Sequence, residues 1–282
     1  MEKHSKKMGT VIIAVLIVVF TVLFVFSVWK LMKIHLSYAA SHKEYEELRQ
    51  LIIADEGEMG DWLPDKEEPG HMKDVSEEKE DNSFQITKDK TICPITVDFQ
   101  KLWEINPDIK AWIYLEELDI HYPVVQGESN DDYLYTSVMG TANSAGSIFL
   151  DSHNKPDFSD PHTIIYGHNM KNGSMFGSLK KLGDQKVIDE IEEPVCFWII
   201  TPDKAARYDV ISVRTADIMG DTYTLFSGPG DVVAEYINQR ARTSIVALDH
   251  RTYLENDKIV TLSTCTGNDQ YRLVVHGVLY EE

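Results

Sequence analysis

The residues of this chain best suited to covalent chemistry are Cys265, which closes the run Thr261-Leu-Ser-Thr-Cys265, Arg272 seven positions later, and His168 in Tyr166-Gly-His-Asn far upstream. A thiolate can attack an amide carbonyl, an imidazolium can protonate the departing amine, and a guanidinium can hold the charge that develops on the carbonyl oxygen. Their flanks supply a mounting. Asp257 to Thr264 reads as a strand leading into Cys265, and Tyr271 to Leu279 as another leaving it, so Cys265 is expected at a strand end facing a groove. His168 follows the apolar run Ile164 to Tyr166 in a turn-rich stretch, where a side chain projects into a cleft. On residue types alone two readings stay open, because a lone cysteine in a β-rich chain is ordinarily a buried hydrophobe and a lone histidine a satisfied core group. The hydroxyls around Cys265 and a nearby arginine that favours thiolate point toward a Cys/His hydrolase or transferase.

The other polar candidates read as structural. His276 lies in the last strand among valines and is expected in the core, while His121 and His162 sit beside strands and are expected at the surface. Asp151 could orient His168, but nothing local places the two together, so it is left out of the catalytic set. Cys93, Cys196 and Cys265 are an odd number with neither a C-x-x-C nor a zinc spacing, so neither a disulfide framework nor a metal site is expected. Cys196, in Pro194 to Ile200, reads as a small core residue, and Cys93 has no evident function.

The elements that must position these groups are mostly short strands. Ala111 to Leu115, Ile120 to Gln126, Gly146 to Leu150, His162 to Tyr166, Val195 to Thr201, Arg207 to Thr215, Ile259 to Thr264 and Tyr271 to Leu279 are rich in β-branched and aromatic residues and bounded by turn formers. Eight strands suggest a barrel or a sandwich. Helices are expected over Ser41 to Ala54, over Asp98 to Ile105 with Asn106-Pro107 as its stop, over Ser174 to Leu182, and over Gly230 to Arg242. In the last, Asp231 can serve as the cap, and Val232, Val233, Tyr236 and Ile237 form an apolar stripe.

Two appendages precede this part. Val11 to Trp29 carries no charge and approaches the roughly 20 apolar residues that span a bilayer as helix. Lys3, Lys6 and Lys7 before it keep the N-terminus cytoplasmic by the positive-inside rule, against the opposing pull of Lys30 and Lys33. Its length favours an uncleaved anchor over a signal peptide cut near Ala40. The formal net charge of −19 is concentrated: Asp55 to Asp81 holds twelve Asp or Glu against three Lys, a solvated linker. So acidic a chain is a poor partner for nucleic acid.

The motifs Ile164-Ile-Tyr-Gly-His168 and Thr261-Leu-Ser-Thr-Cys265 with Arg272 resemble the signature of sortases, the membrane-anchored cysteine transpeptidases of Gram-positive bacteria. The stretches Ile105 to Trp112, Tyr122 to Gln126, Tyr133-Leu134 and Gly146 to Asp151 are similar to those of class B sortases in order and spacing, as is the helical insertion before the cysteine strand. The resemblance runs from about Asp98 to Leu279. It implies a mostly β fold, a closed eight-stranded sortase-type barrel with peripheral helices behind an N-terminal transmembrane helix. The implied organisation is residues 1–8 in the cytoplasm, 9–33 as the anchor, 34–87 as membrane-proximal helix and acidic linker, and 88–282 as an extracytoplasmic catalytic domain. It implies that Cys265 attacks a Thr carbonyl of a sorting-signal peptide, that His168 moves the protons, that Arg272 holds the oxyanion, and that Asn130, Leu134, Tyr166 and Ser263 line the groove. It implies no cofactor and no metal. The implied partners are sorting-signal-bearing surface proteins, a peptidoglycan precursor or cell-wall amine, and the membrane. A pilin polymerase with a lysine nucleophile and a catalytically silent, tethered peptide-binding module are the alternatives; the intact Cys265, His168 and Arg272 argue against the second.

Overall fold

The computed structural model describes residues 2–54, 90–191, 194–265 and 270–280, without the side chains of 2–15, 33–35, 37, 38, 40, 41, 51–54 and 265. The acidic linker expected from Asp55 to Asp81 therefore lies outside the described residues. Helix α1 (Glu2–Ile52) leads into β1 (Ile53–Ala54), which pairs with β2 (Thr96–Val97). Then come α2 (Phe99–Ile105), β3 (Ile109–Leu115), β4 (Ile120–Val125), β5 (Ile148–Leu150), β6 (His162–Tyr166), α3 (Gln185–Glu190), β7 (Cys196–Ile200), β8 (Ala205–Asp217), α4 (Asp231–Arg242), β9 (Ile259–Cys265) and β10 (Tyr271–Leu279).

β3 to β10 close into an eight-stranded barrel in the order β10-β8-β7-β3-β4-β5-β6-β9. Six of its contacts are antiparallel; β4 with β5 and β6 with β9 are parallel. Closure leaves no free edge among these strands, which suits runs as uniformly apolar as Cys196 to Ile200. The interior is packed with Ile113, Phe197, Val213, Leu262 and Val275, all essentially without exposure.

Against the outside of β8, β9 and β10 lies α4, whose Val233, Tyr236, Ile237 and Ala241 pack on Ile211, Ile259 and Val278. This i, i+3, i+4, i+8 stripe is nearly the expected one; Val232 instead faces out, 68% exposed. The cap also differs, since Gly230 precedes the first turn and Asp231 is already helical, with no side-chain capping bond. At α2 the side chain of Asp98 accepts from the backbone N–H groups of Gln100 and Lys101, which starts that helix.

The expected helix from Ser174 to Leu182 is replaced by turns and a 3-10 segment, Leu179–Gly183. The reason lies in competing bonds: Phe176 N donates to His168 O at 3.1 Å and Met175 N to Tyr122 Oη at 3.1 Å, so neither amide is available for a helical ladder. The expected helix from Ser41 is the last part of α1 rather than a separate element. Tyr45 donates to Gly146 O at 3.0 Å, Leu48 is fully buried, and Arg49 donates to His121 O at 3.1 Å and pairs with Asp119 at 3.2 Å. Burying Leu48 alone contributes about 1.5–3 kcal/mol, so α1 is fastened to the barrel wall.

The apolar span expected from Val11 begins outside the described side chains. Among the described residues no helix is long and apolar enough to cross a membrane. From Leu16 to Met32 the side chains of α1 are apolar apart from Thr21, Ser27 and Lys30, and the large ones are exposed.

Candidate active site

The site is set by strand register. β6 runs parallel to β9 with Tyr166 opposite Ser263, and Gly167 N donates to Ser263 O at 3.1 Å. Two residues further along each chain stand His168 and Cys265. β10 returns antiparallel to β9 with Arg272 directly opposite Cys265. One rim of the barrel thus carries all three expected catalytic residues. The side chain of Cys265 and residues 266–269 lie outside the described residues; the backbone register is what joins the three.

Two glycines shape the histidine's surroundings. A Cβ on Gly167 would strike Ile148 and Phe176, so only glycine lets the chain turn from β6 into the His168 loop at this depth. Gly146, at φ +56°, approaches the Leu134 carbonyl so closely that a Cβ would collide with it. That carbonyl is the partner of His168: Nε2 lies 2.6 Å from Leu134 O. A carbonyl oxygen only accepts, so Nε2 carries a hydrogen and Nδ1 is the nitrogen left for proton exchange. Tyr135 packs beside the imidazole, ring centres 5.4 Å apart. Leu134 therefore stands beside His168, and its backbone makes the polar contact. The Arg272 guanidinium, half-buried, donates from Nη1 to Tyr271 O at 3.0 Å.

Asn130 and Tyr166 converge on Asp151, not on His168. Asp151 Oδ2 accepts from Asn130 Nδ2 at 3.0 Å and from Tyr166 Oη at 2.9 Å. Burial pushes this carboxyl up, yet hydrogen bonds from His153, Asn130 and Tyr166 outweigh burial and hold it below its ordinary value. Burial, then the Asp151 charge, pushes the Tyr166 phenol far above the usual range, so it stays protonated.

Ser263 is 2% exposed and shares a 3.0 Å hydrogen bond with Tyr223 Oη. Tyr223 stacks on Tyr166 at 6.3 Å and comes from the loop between β8 and α4. Sequence reasoning missed Tyr223, and nothing in its neighbourhood marks it. Its loop is fastened from below: Tyr236 donates to Thr222 O at 2.7 Å, and His162 Nδ1 donates to Thr224 O at 2.7 Å. His162 is thus fully buried rather than at the surface, because the insertion covers it. Its Nε2 meets Thr261 Oγ1 at 2.7 Å, which in turn meets His276 Nδ1 at 2.8 Å. Burial, with Arg240 nearby, lowers His162 to about 4, so the relay is neutral in ordinary conditions. His276 is buried as expected; His121, also expected at the surface, is half-buried, edge-on to Tyr114 at 4.2 Å.

The two described thiols are poor nucleophiles. Cys196 is 6% exposed and burial pushes it up to about 11, while Cys93, raised by burial too, donates to Ile95 O at 3.4 Å.

The closed eight-stranded barrel thus carries a histidine loop, a cysteine strand end and a facing arginine at one rim. The chain belongs to the sortase family, whose members are transpeptidases: the family model described as Sortase domain matches residues 113–280, more than half of the chain. Within the family it falls in class B. It is 31% identical over 186 residues to Sortase B of Listeria monocytogenes, covering 64% of this chain and 74% of that protein. The crystal structure of sortase B from Bacillus anthracis in complex with AAEK1 superposes with a TM-score of 0.57 at 35% identity, covering 65% of this chain and 84% of the other. A Streptococcus pyogenes class B sortase involved in pilus biogenesis superposes with a TM-score of 0.57 at 28% identity, covering 65% and 98%.

Proposed function

We propose that this protein is a cysteine transpeptidase that cleaves a sorting-signal peptide after Thr and joins the protein to a cell-wall peptidoglycan amine. The carrying observation is the register that sets Tyr166 opposite Ser263 and Arg272 opposite Cys265, bringing His168, Cys265 and Arg272 to one rim. In this reading the Cys265 thiolate attacks the Thr carbonyl carbon and Arg272 holds the oxyanion. As the carbon–nitrogen bond breaks, His168 imidazolium gives its Nδ1 proton to the departing amine while Nε2 stays on Leu134 O. The resulting thioester is attacked by the incoming amine, whose proton returns to His168, and the thiolate leaves. Asn130, Leu134, Tyr166 and Ser263 line the peptide groove, with Tyr223 as its wall.

The preferred peptide is of the Asn-Pro-x-Thr type rather than Leu-Pro-x-Thr-Gly, since a polar slot near Asn130 discriminates against a partner that leaves it unpaired. Incubation with each peptide should give a covalent adduct of the acyl mass on Cys265, and competition should favour the Asn-initiated one. No adduct with either ends the transpeptidase reading; preference for the Leu-initiated peptide ends only the substrate assignment. A second reading, a pilin polymerase using a protein lysine, is favoured by the Streptococcus pyogenes relative involved in pilus biogenesis. Acceptor competition between a wall-peptide amine and a pilin lysine separates the two.

The protein is anchored by residues 9–33, N-terminus inside and barrel outside. The exposed apolar side chains from Leu16 to Met32 support this, because water disfavours so long a mainly apolar surface on a helix. Protease added to wall-less cells should release the barrel from the membrane fraction. Mature protein in the medium with a new N-terminus near Ala40 overturns the anchor.

A further inference from the structure

We propose that Asp151 is a positioning residue that sets peptide selectivity by fixing the side chains of Asn130 and Tyr166. This rests on the reading above that those two line the peptide groove. Asp151 is 6% exposed and is itself held on every side. Its backbone N–H donates to Ile164 O at 2.9 Å, its carbonyl accepts from Gln126 Nε2 at 3.0 Å, and Oδ1 accepts from His153 N at 2.9 Å, with His153 Nδ1 3.1 Å away. Oδ1 thus closes the local turn. A carboxylate serving only that turn needs no more, yet Oδ2 accepts from both Asn130 and Tyr166, residues 21 and 15 positions away.

The consequences for the two partners differ. Asn130 lies in a turn and would otherwise rotate about its last torsion; instead Nδ2 donates to Asp151 and Oδ1 accepts from Ser152 N at 2.8 Å. A flipped amide would set oxygen against carboxylate and N–H against N–H, so one orientation remains. It presents one N–H and one lone pair, the complement of a peptide carboxamide. Tyr166 gives its only hydroxyl hydrogen to Asp151, which turns a group able to donate or accept into an acceptor alone. Its ring is meanwhile stacked on Tyr223. Asp151 touches no reacting atom in this scheme; it acts through the two side chains that meet the peptide.

The test uses the full chain in detergent, with Asp151→Ala and Asp151→Asn, and the Asn-initiated and Leu-initiated peptides. Asp151→Ala should raise KM for the Asn-initiated peptide more than it lowers kcat, and reduce the preference between the peptides by roughly 10-fold, the scale of a lost charge-assisted hydrogen bond. Asp151→Asn keeps a carbonyl oxygen able to take the place of Oδ2 and should recover most of the preference. A merely structural role instead lowers activity on both peptides equally, in step with thermal unfolding. Side-chain amide NMR of Asn130 reads the positioning without turnover: its protons should be displaced from the shifts of an exposed Asn and slow to exchange with water in the wild type, and should move to exposed-Asn shifts and exchange rates in Asp151→Ala. An unchanged peptide preference or an unmoved Asn130 amide in Asp151→Ala overturns the inference. Wild-type protein that cleaves neither peptide overturns the functional reading, and the Asn130 amide still judges the positioning by itself.

Discussion

Cys265→Ala is expected to abolish both peptide cleavage and transfer, while Cys93→Ala and Cys196→Ala retain both. The covalent scheme has a single carrier of the acyl group, so removing it leaves only the contribution of the groove and the oxyanion donors; in enzymes of this type the loss is on the order of 10⁶ in kcat. The other two thiols cannot substitute. With its thiol pushed up to about 11, only roughly one part in 10⁴ of Cys196 is thiolate at pH 7, and it is buried among barrel side chains away from the rim. Cys93 is raised as well and lies before α2, near β2. The measurement is single-turnover acylation by mass spectrometry, with thermal unfolding as the check on folding. Folded Cys265→Ala that cleaves at the wild-type rate ends the proposed mechanism.

The strands that carry the site were legible because their signals are local. His162 to Tyr166 and Tyr271 to Leu279 are found at the residues expected, since each is rich in β-branched and aromatic or other apolar residues. Eight such strands leave barrel and sandwich both open, and the parallel pairing of β6 with β9 is not legible in them; it is that pairing which brings His168 to Cys265. Motif resemblance supplied the juxtaposition that periodicity lacked.

What the sequence hid depends on contacts from far along the chain. His162 looks like a surface residue beside a turn, yet its two partners are 62 and 99 residues away and its burial comes from the insertion folding back over β6. Tyr223 has no local mark; its role comes from stacking on Tyr166 and bonding to Ser263, 40 residues on. The apolar spacing of Ser174 to Leu182 reads as helix, but the chain must turn back to hold the His168 loop, and those bonds win. In each case a tertiary hydrogen bond overrides a local preference.

Arg272→Lys is expected to cost about 10²–10³ in kcat/KM, or roughly 2.7–4 kcal/mol of transition-state stabilisation, the usual consequence of losing one oxyanion donor. The substitution is informative because it conserves charge. Directly opposed residues of an antiparallel pair stand about 4.5–5.5 Å apart at Cα, so residue 272 is well placed either to favour the Cys265 thiolate or to hold the oxyanion. A cation at this position would serve the first task whether it were ammonium or guanidinium. The second requires a donor fork aimed at the carbonyl oxygen, which a planar guanidinium supplies; in Arg272 one donor, Nη1, is tied to Tyr271 O at 3.0 Å. Lysine has no planar fork. Loss of rate with an unshifted lower limb of the pH–rate profile therefore identifies Arg272 as an oxyanion donor, whereas wild-type kcat/KM in the Arg272→Lys enzyme reduces the arginine to a source of charge.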